Sequence, residues 1–239
     1  MQYLISKYRN SRLHYVVSYI LEFFEMEGFT ISYSQCGEDL FLKTFFGKNQ
    51  RKGFFVDVGC NNPIQKNNTF KLYLKGWRGI NIDGNPNLIK KFRSIRKKDL
   101  SLNEIISSEQ KEVVFYQDDR NHELSSMDTS TGEQLKSTNP GVKEVRRIST
   151  TLENVLDQHL KGEKIDLLCV DVEGHDLEVL KSNNFQKYRP RIICVEYDGD
   201  YNSLQESKLH SFFKINGYAP IAFSAPNVFY KDGLNPTVS

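Results

Sequence analysis

Several functional classes are excluded by what this sequence lacks. It has almost no net charge: 32 Lys and Arg against 30 Asp and Glu leave +2. A chain held mainly to nucleic-acid phosphates carries a larger basic excess, so that partner class is set aside. Its four cysteines, Cys36, Cys60, Cys169 and Cys194, form no Cys-x-x-Cys pair. That argues against a zinc ribbon or a thioredoxin-type centre. Cys169 and Cys194 fall inside apolar runs and read as reduced, buried thiols rather than staples of a secreted scaffold. Long apolar runs are also missing. The longest, Tyr15 to Phe24, is about ten residues and contains Glu22, whereas a transmembrane helix needs about 20. Arg9 and Arg12 precede it, but Glu22, Glu25 and Glu27 stand where a signal peptide would have its cleavage site. A cytoplasmic location is the resulting expectation. Finally, there is neither GxGxxG nor GxxxxGK[ST], so no dinucleotide cradle or P-loop is expected.

What is present suits one α/β domain with an added arm. The chain has 239 residues, 38% of them hydrophobic and 12% aromatic, enough for a single large core. Leu13, Val16, Val17, Ile20, Leu21 and Phe24 recur at helical steps, so residues 1–30 are expected to form an amphipathic helical arm. Packing on the domain, a homodimer contact and a lid over a cleft are all open to it. From residue 31 onward, strand and helix patterns alternate. Strands are expected at 53–58, 78–83, 100–106, 112–116, 165–171 and 191–196, with a closing hairpin at 217–223 and 228–231. The runs ending at Asp171 and Glu196 are apolar almost throughout, as central parallel strands are. Residues 117–147 are polar and nearly aperiodic, and read as a substrate lid.

In such a sheet, ligands bind just past the carboxyl ends of the strands. Those positions hold Asp57, Gly59 and Asn61; then Asp83; then Asn103 and Glu104; then Asp171, Glu173, His175 and Asp176; then Glu196, Asp198 and Asp200. Helix capping explains one or two such acids, but not five loaded strand ends. Gly59 would let the backbone approach a ligand. Asp83, about 24 residues further on, is placed to accept both hydroxyls of a ribose. A ribose without a pyrophosphate cradle points to S-adenosylmethionine, although an acid at this strand end also suits NAD.

The sequence resembles the FkbM-type S-adenosylmethionine-dependent methyltransferases. The resemblance is carried by Ser34-Gln35-Cys36-Gly37-Glu38-Asp39, by Phe55-Val56-Asp57-Val58-Gly59-Cys60-Asn61-Asn62-Pro63 and by Asn68-Thr69. Further matches are Gly76-Trp77-Arg78-Gly79-Ile80-Asn81-Ile82-Asp83, Asp171-Val172-Glu173-Gly174, and Arg189-Pro190 through Glu196. It covers about Tyr33 to Tyr197. It implies the class I methyltransferase (Rossmann-like) fold: a seven-stranded, mostly parallel sheet with helices on both faces and one antiparallel strand near the C-terminus. It also implies methyl transfer, usually to oxygen and often on a sugar or polyketide. The family often has Asp-Pro-Asn-Pro where this chain has Asp83-Gly84-Asn85-Pro86. Carried over, Asp57, Gly59 and Asn61 would contact the amino-acid part of the cofactor, Asp83 the ribose and Asn103 the adenine. Gln35, Glu38 and Asp39 would close the pocket.

For catalysis, His175 is the histidine beside a buried strand end, and a neutral imidazole can take a hydroxyl proton. Asp171 and Glu173 are the nearby carboxylates. Asp171 and Glu196 are alternative ligands for Mg²⁺ or Mn²⁺, since oxygen-only donors suit hard cations. The expected acceptor is a small molecule with a hydroxyl, a sugar or nucleotide sugar, which Tyr116, Asp118, His122, Ser125, Ser126, Arg146 or Arg147 could meet. An acceptor of another kind (polyketide-like, or methylated on nitrogen) and a non-catalytic adenosyl-binding module are the competing readings. The adenine-N6 and cytosine-C5 motifs of nucleic-acid methyltransferases are absent.

Overall fold

The computed structural model describes residues 12–23, 30–47, 50, 52–118, 125–127 and 129–235. Its centre is a seven-stranded sheet in the order β3-β2-β1-β6-β7-β9-β8. The strands are β1 (Phe54–Val58), β2 (Arg78–Ile82), β3 (Leu100–Leu102), β6 (Leu167–Val170), β7 (Ile192–Glu196), β8 (Tyr218–Ser224) and β9 (Asn227–Asp232). The first five run parallel, and β9 is antiparallel to both β7 and β8. This is the class I Rossmann-like arrangement. β6 is buried along its whole length and β7 through Val195, because helices cover both faces of the sheet.

Helices α2 (Glu38–Phe46), α3 (Phe70–Leu74), α4 (Pro86–Ile95), α6 (Leu152–His159), α7 (Asp176–Lys181), α8 (Tyr201–Leu204) and α9 (Lys208–Ile215) fill the connections. Pro86 sits in the first turn of α4, and the Asn85 side chain caps it by accepting from the Asn87 N–H. Thr151 caps α6 in the same way. The larger core cluster joins Val56, Ile80, Leu168 and Ile193 to Leu152, Leu156, Leu180 and Phe213. A second, on the opposite face, joins Phe55, Leu167 and Cys194 to Leu42, Phe46 and Trp77.

Helix α1 (Arg12–Phe23) realises the described part of the N-terminal arm; residues 1–11 and 24–29 lie outside the described residues. Tyr15 anchors it, with its ring 6.3 Å from Phe70 and 6.2 Å from Tyr73. No helix among the described residues is long and apolar enough to cross a membrane.

Two expectations need correction. The strand at Glu112 is not in the main sheet. It is β4 (Glu112–Asp118), which pairs antiparallel with β5 (Val142–Ile148) as a separate ribbon. Likewise, residues 117–147 are not without regular structure: helix α5 (Thr129–Thr138) lies between the two strands. The period-2 signal in β5 was hidden because Lys143, Glu144, Arg146 and Ile148 leave most of its residues exposed. A ribbon with little buried face shows little apolar alternation. Residues 119–124 and 128, His122 included, lie outside the described residues.

Candidate active site

The sheet register assembles the site. Val58 stands level with Ile82 on one side and Val170 on the other, and Val170 stands level with Val195. One step further along each strand, Asp83, Gly59, Asp171 and Glu196 therefore form a row across four strand ends. The chain leaves β1 toward opposite edges of the sheet on its two sides, so this row lies at the topological switch point. Two adjoining clefts open there. One, of about 610 Å³, is largely apolar and includes Ile82, Leu88, Ile105, Phe115 and Met127 together with Asp83. The other, of about 930 Å³, is polar and includes Gln35, Asp57, Lys66, Asn68 and Glu196. Gly59, Asn61, Asp171 and Glu173 belong to both.

Asp83 is buried at the base of the apolar cleft. One carboxylate oxygen accepts the Asn61 N–H at 3.0 Å and the other the Asn85 N–H at 2.7 Å. Burial pushes its pKa up to about 6 against the pull of these two donors. Each carboxylate oxygen has a second lone pair, so two further donors can be taken. The Asn61 amide oxygen and the Ser125 hydroxyl are buried without a partner. Unsatisfied groups of this kind cost stability unless a ligand or water meets them. Both lie in the wall of the apolar cleft.

Gly59 has a different reason from the one expected. Its φ is +77°, and a Cβ there would stand 1.7 Å from the carbonyl oxygen of Asp171. The close approach is by the end of β6, which brings the two loops of the site together. Gly84, at the position of the family's proline, leaves room for a ring: a Cβ there would meet Phe115 at 2.6 Å.

Asp57 lines the polar cleft and is tied down from below. It accepts from Thr69 Oγ1 at 2.8 Å and from Asn67 Nδ2 at 3.5 Å. Burial raises its pKa, and the Arg96 guanidinium opposes that rise. Arg96 is wholly buried. It donates to the Pro63 carbonyl at 2.9 Å, to Thr69 Oγ1 at 2.8 Å and to Asn81 Oδ1 at 3.2 Å, and it faces Asp99 at 3.8 Å. It thereby fixes the loop from Gly59 to Thr69. Arg96→Met is expected to destabilise the fold by about 3–5 kcal/mol, since buried Asp57 and Asp99 would lose their cation. Urea denaturation measures this; a loss below about 1 kcal/mol would mean that the loop is held by other contacts.

Glu38 and Asp39 do not line either cleft. Glu38 accepts from the Cys36 N–H and from Asn227 Nδ2, and Asp39 from the Tyr33 N–H and the hydroxyls of Ser32 and Ser34. They fasten the turn that presents Gln35 to the polar cleft. Asn103 also turns away from it, donating to the carbonyls of Asp83 and Gly84 at 2.9 Å each. Arg147 grips the same loop through the Gly84 and Asn103 carbonyls, while Arg146 pairs with Glu112 on the surface.

His175 is displaced from its expected role. It stands at the cap position of α7, and its Nε2 lies 3.4 Å from Ser107 Oγ. It lines neither cleft. The carboxylates Asp171, Glu173 and Glu196 are the groups brought together. Asp171 and Glu196 hydrogen-bond side chain to side chain. Burial, then repulsion by Glu196, Asp176 and Glu173, drives the Asp171 carboxyl well above the usual range. Burial and the charges of Glu173, Asp176 and Asp198 push Glu196 up to about 7. Like charges this close oppose each other's ionisation. Among the described residues, no group of three or more His, Cys, Asp or Glu side chains is arranged to hold a metal ion. The metal role expected of Asp171 and Glu196 finds no support there.

This row of strand ends lies within a recognised domain: the methyltransferase FkbM domain matches residues 57–219. The chain belongs to the FkbM-domain methyltransferase family. The match begins at Asp57 and spans the whole row to Glu196, the β4–β5 ribbon included. None of the curated proteins matches the chain. Two solved structures are similar to this FkbM-domain protein. One is a Clostridium thermocellum protein assigned as an rRNA methylase, at 13% identity and a TM-score of 0.42, covering 84% of this chain and 97% of that one. The other is MycE, a methyltransferase of the mycinamycin biosynthetic pathway, in complex with Mg and SAH. It is 10% identical with a TM-score of 0.40, covering 87% of this chain and 51% of that one.

Lys66, Phe115 and Met127 are site residues that the sequence reading missed. Lys66 adopts φ +49° in a stretch whose Asn62, Pro63, Asn67 and Asn68 mark a turn but not which side chain enters the cleft. Phe115 and Met127 reach the cleft only because the ribbon folds back, and nothing local in their sequence announces that.

Proposed function

We propose that this protein is an S-adenosylmethionine-dependent O-methyltransferase acting on a hydroxyl of a sugar, nucleotide sugar or glycan precursor. The observation that carries the reading is the pairing of the two clefts. An apolar slot with a buried acid at its base adjoins a polar chamber, and the carboxylates between them are shared. The slot suits an adenosine, with Asp83 accepting the ribose hydroxyls and the unpartnered Asn61 and Ser125 oxygens meeting donors of the ligand. Acids on every side of the shared wall suit a cation. The cofactor supplies an electrophilic methyl group on a sulfonium centre. The chain's part is to place an acceptor hydroxyl in line with it, which contributes about 7–11 kcal/mol when orientation is complete.

The polar chamber offers amides at Gln35, Asn61 and Asn68 and carboxylates at Asp57, Glu173 and Glu196. Such a lining matches a hydroxyl-rich acceptor better than an apolar polyketide. Glu196 takes the acceptor proton, while Asp171 holds the proton that the pair shares. The β4–β5 ribbon closes the cofactor side: Ser126 Oγ donates to the Glu173 carbonyl at 3.0 Å, and Phe115 and Met127 form a wall.

The test is a screen of nucleotide sugars and glycans with labelled cofactor, with and without EDTA, followed by NMR of the product. A new O-methyl signal that survives EDTA is the expected result. Methylation of nitrogen alone would overturn the acceptor class, and tight NADH binding without S-adenosylhomocysteine binding would overturn the cofactor.

A further inference from the structure

Helix α1 is turned inside out relative to an ordinary surface helix. Tyr15 faces the domain, where it packs with Phe70, Tyr73 and the cluster that includes Ile95 of α4. The apolar side chains of Leu13, Val16, Tyr19 and Ile20 are 57, 48, 53 and 47% exposed. At 100° per residue they occupy one arc about 120° wide, on the side opposite His14. A helix lying on a globular domain normally shows water its polar face. Here the outward face is apolar.

The surroundings of that face are basic. Arg12 falls within the same arc and is exposed. α1 rests against α4. On α4 and the turn after it, Lys90, Lys97 and Lys98 are exposed, and the sequence from Gly84 to Lys98 contains no Asp or Glu. None occurs before Glu22 either. The exposed charges of Arg12 on α1 and of Lys90, Lys97 and Lys98 on and after α4 are therefore of one sign, with Glu22 at the far end of α1, although the whole chain is nearly neutral.

We propose that α1, flanked by α4, is a docking face for an anionic lipid bilayer surface. An exposed apolar arc with cations beside it is the arrangement that lies in the plane of a membrane. The apolar side chains enter the boundary of the acyl region, and the lysines meet lipid phosphates. A second copy of this chain is the poorer occupant, because pairing the face with itself would oppose Arg12 and the lysines on and after α4 of one copy to those of the other. This inference stands apart from the proposed reaction.

The experiment is sedimentation of the full chain with phosphatidylcholine vesicles and with vesicles of phosphatidylcholine and phosphatidylglycerol, 3:1. Binding to the anionic vesicles is expected to be at least 10-fold tighter and to weaken sharply at 0.5 M salt. Val16→Glu/Ile20→Glu should abolish it, and Lys90→Glu/Lys97→Glu/Lys98→Glu should weaken it 10-fold or more. All these positions are exposed, so circular dichroism and S-adenosylhomocysteine affinity should stay as in the wild type. Equal or absent wild-type binding to the two vesicle types would overturn the proposal. So would a dimer in velocity sedimentation that Val16→Glu/Ile20→Glu dissociates while vesicle binding is missing.

Discussion

Asp83→Ala is expected to weaken S-adenosylhomocysteine binding by 10²-fold or more. Two ribose hydroxyls would each lose a charged acceptor, worth about 1.5–3 kcal/mol apiece, and about 1.4 kcal/mol is tenfold in affinity. The backbone suffers as well, since the same carboxylate holds the N–H groups of Asn61 and Asn85. The wild type should show a pH signature. With its pKa pushed up to about 6, Asp83 is charged at pH 8 and protonates as the pH falls through that value. The charged form is the better acceptor, so affinity should decline on the acid side and not on the alkaline side. Isothermal calorimetry between pH 5 and 8 measures both effects. Unchanged affinity in Asp83→Ala would sink the ribose assignment.

The second large effect concerns the shared-proton pair. Glu196→Gln is expected to lower kcat by about 10²–10⁴-fold, the usual contribution of a general base, with cofactor affinity nearly intact. Burial, with the charges of Glu173, Asp176 and Asp198, pushes the Glu196 pKa up to about 7 against the hydrogen bond with Asp171. A base must be unprotonated to act, so kcat should fall as the pH drops below about 7. Asp171→Ala should move that limb to higher pH, because Glu196 loses the hydrogen bond that opposes the rise of its pKa. His175→Ala should cost far less, since that ring faces Ser107. EDTA should leave turnover unchanged. A rate that EDTA abolishes and Mg²⁺ restores would return Asp171 and Glu196 to the role of metal ligands.

The sheet was legible because its strands carry the signal of burial on both faces. Leu167 to Val170 and Ile192 to Val195 are unbroken apolar runs, and the residue past each one is an acid. The same rule located Asp83, Asp171 and Glu196, whose register follows from parallel pairing alone. Side-chain direction was not legible. Nothing in the sequence around Asn103 or His175 tells that one grips its own loop and the other turns to Ser107, because both choices depend on partners far away in the chain. The ribbon was missed for a related reason: β5 buries little, so its strand signal is weak, and its length of polar residues imitated a loop.

The ribbon's attachment has a consequence for altering this protein. The chain leaves the sheet and returns to it at touching points: the Ser107 N–H bonds to the Thr150 carbonyl at 2.9 Å and the Thr150 N–H to the Ile105 carbonyl at 2.8 Å. An insert whose ends already meet can be lengthened, shortened or exchanged at little entropic cost to the rest of the fold, since closure entropy grows only slowly with length. The stretch from 107 to 150 is thus a cassette. It is not an independent one, because it also carries Phe115, Ser125 and Met127 into the apolar cleft. Grafting a foreign cassette to change what is methylated would rebuild one wall of the apolar cleft, and on the proposed reading acceptor range and cofactor affinity would have to be re-optimised as one trait.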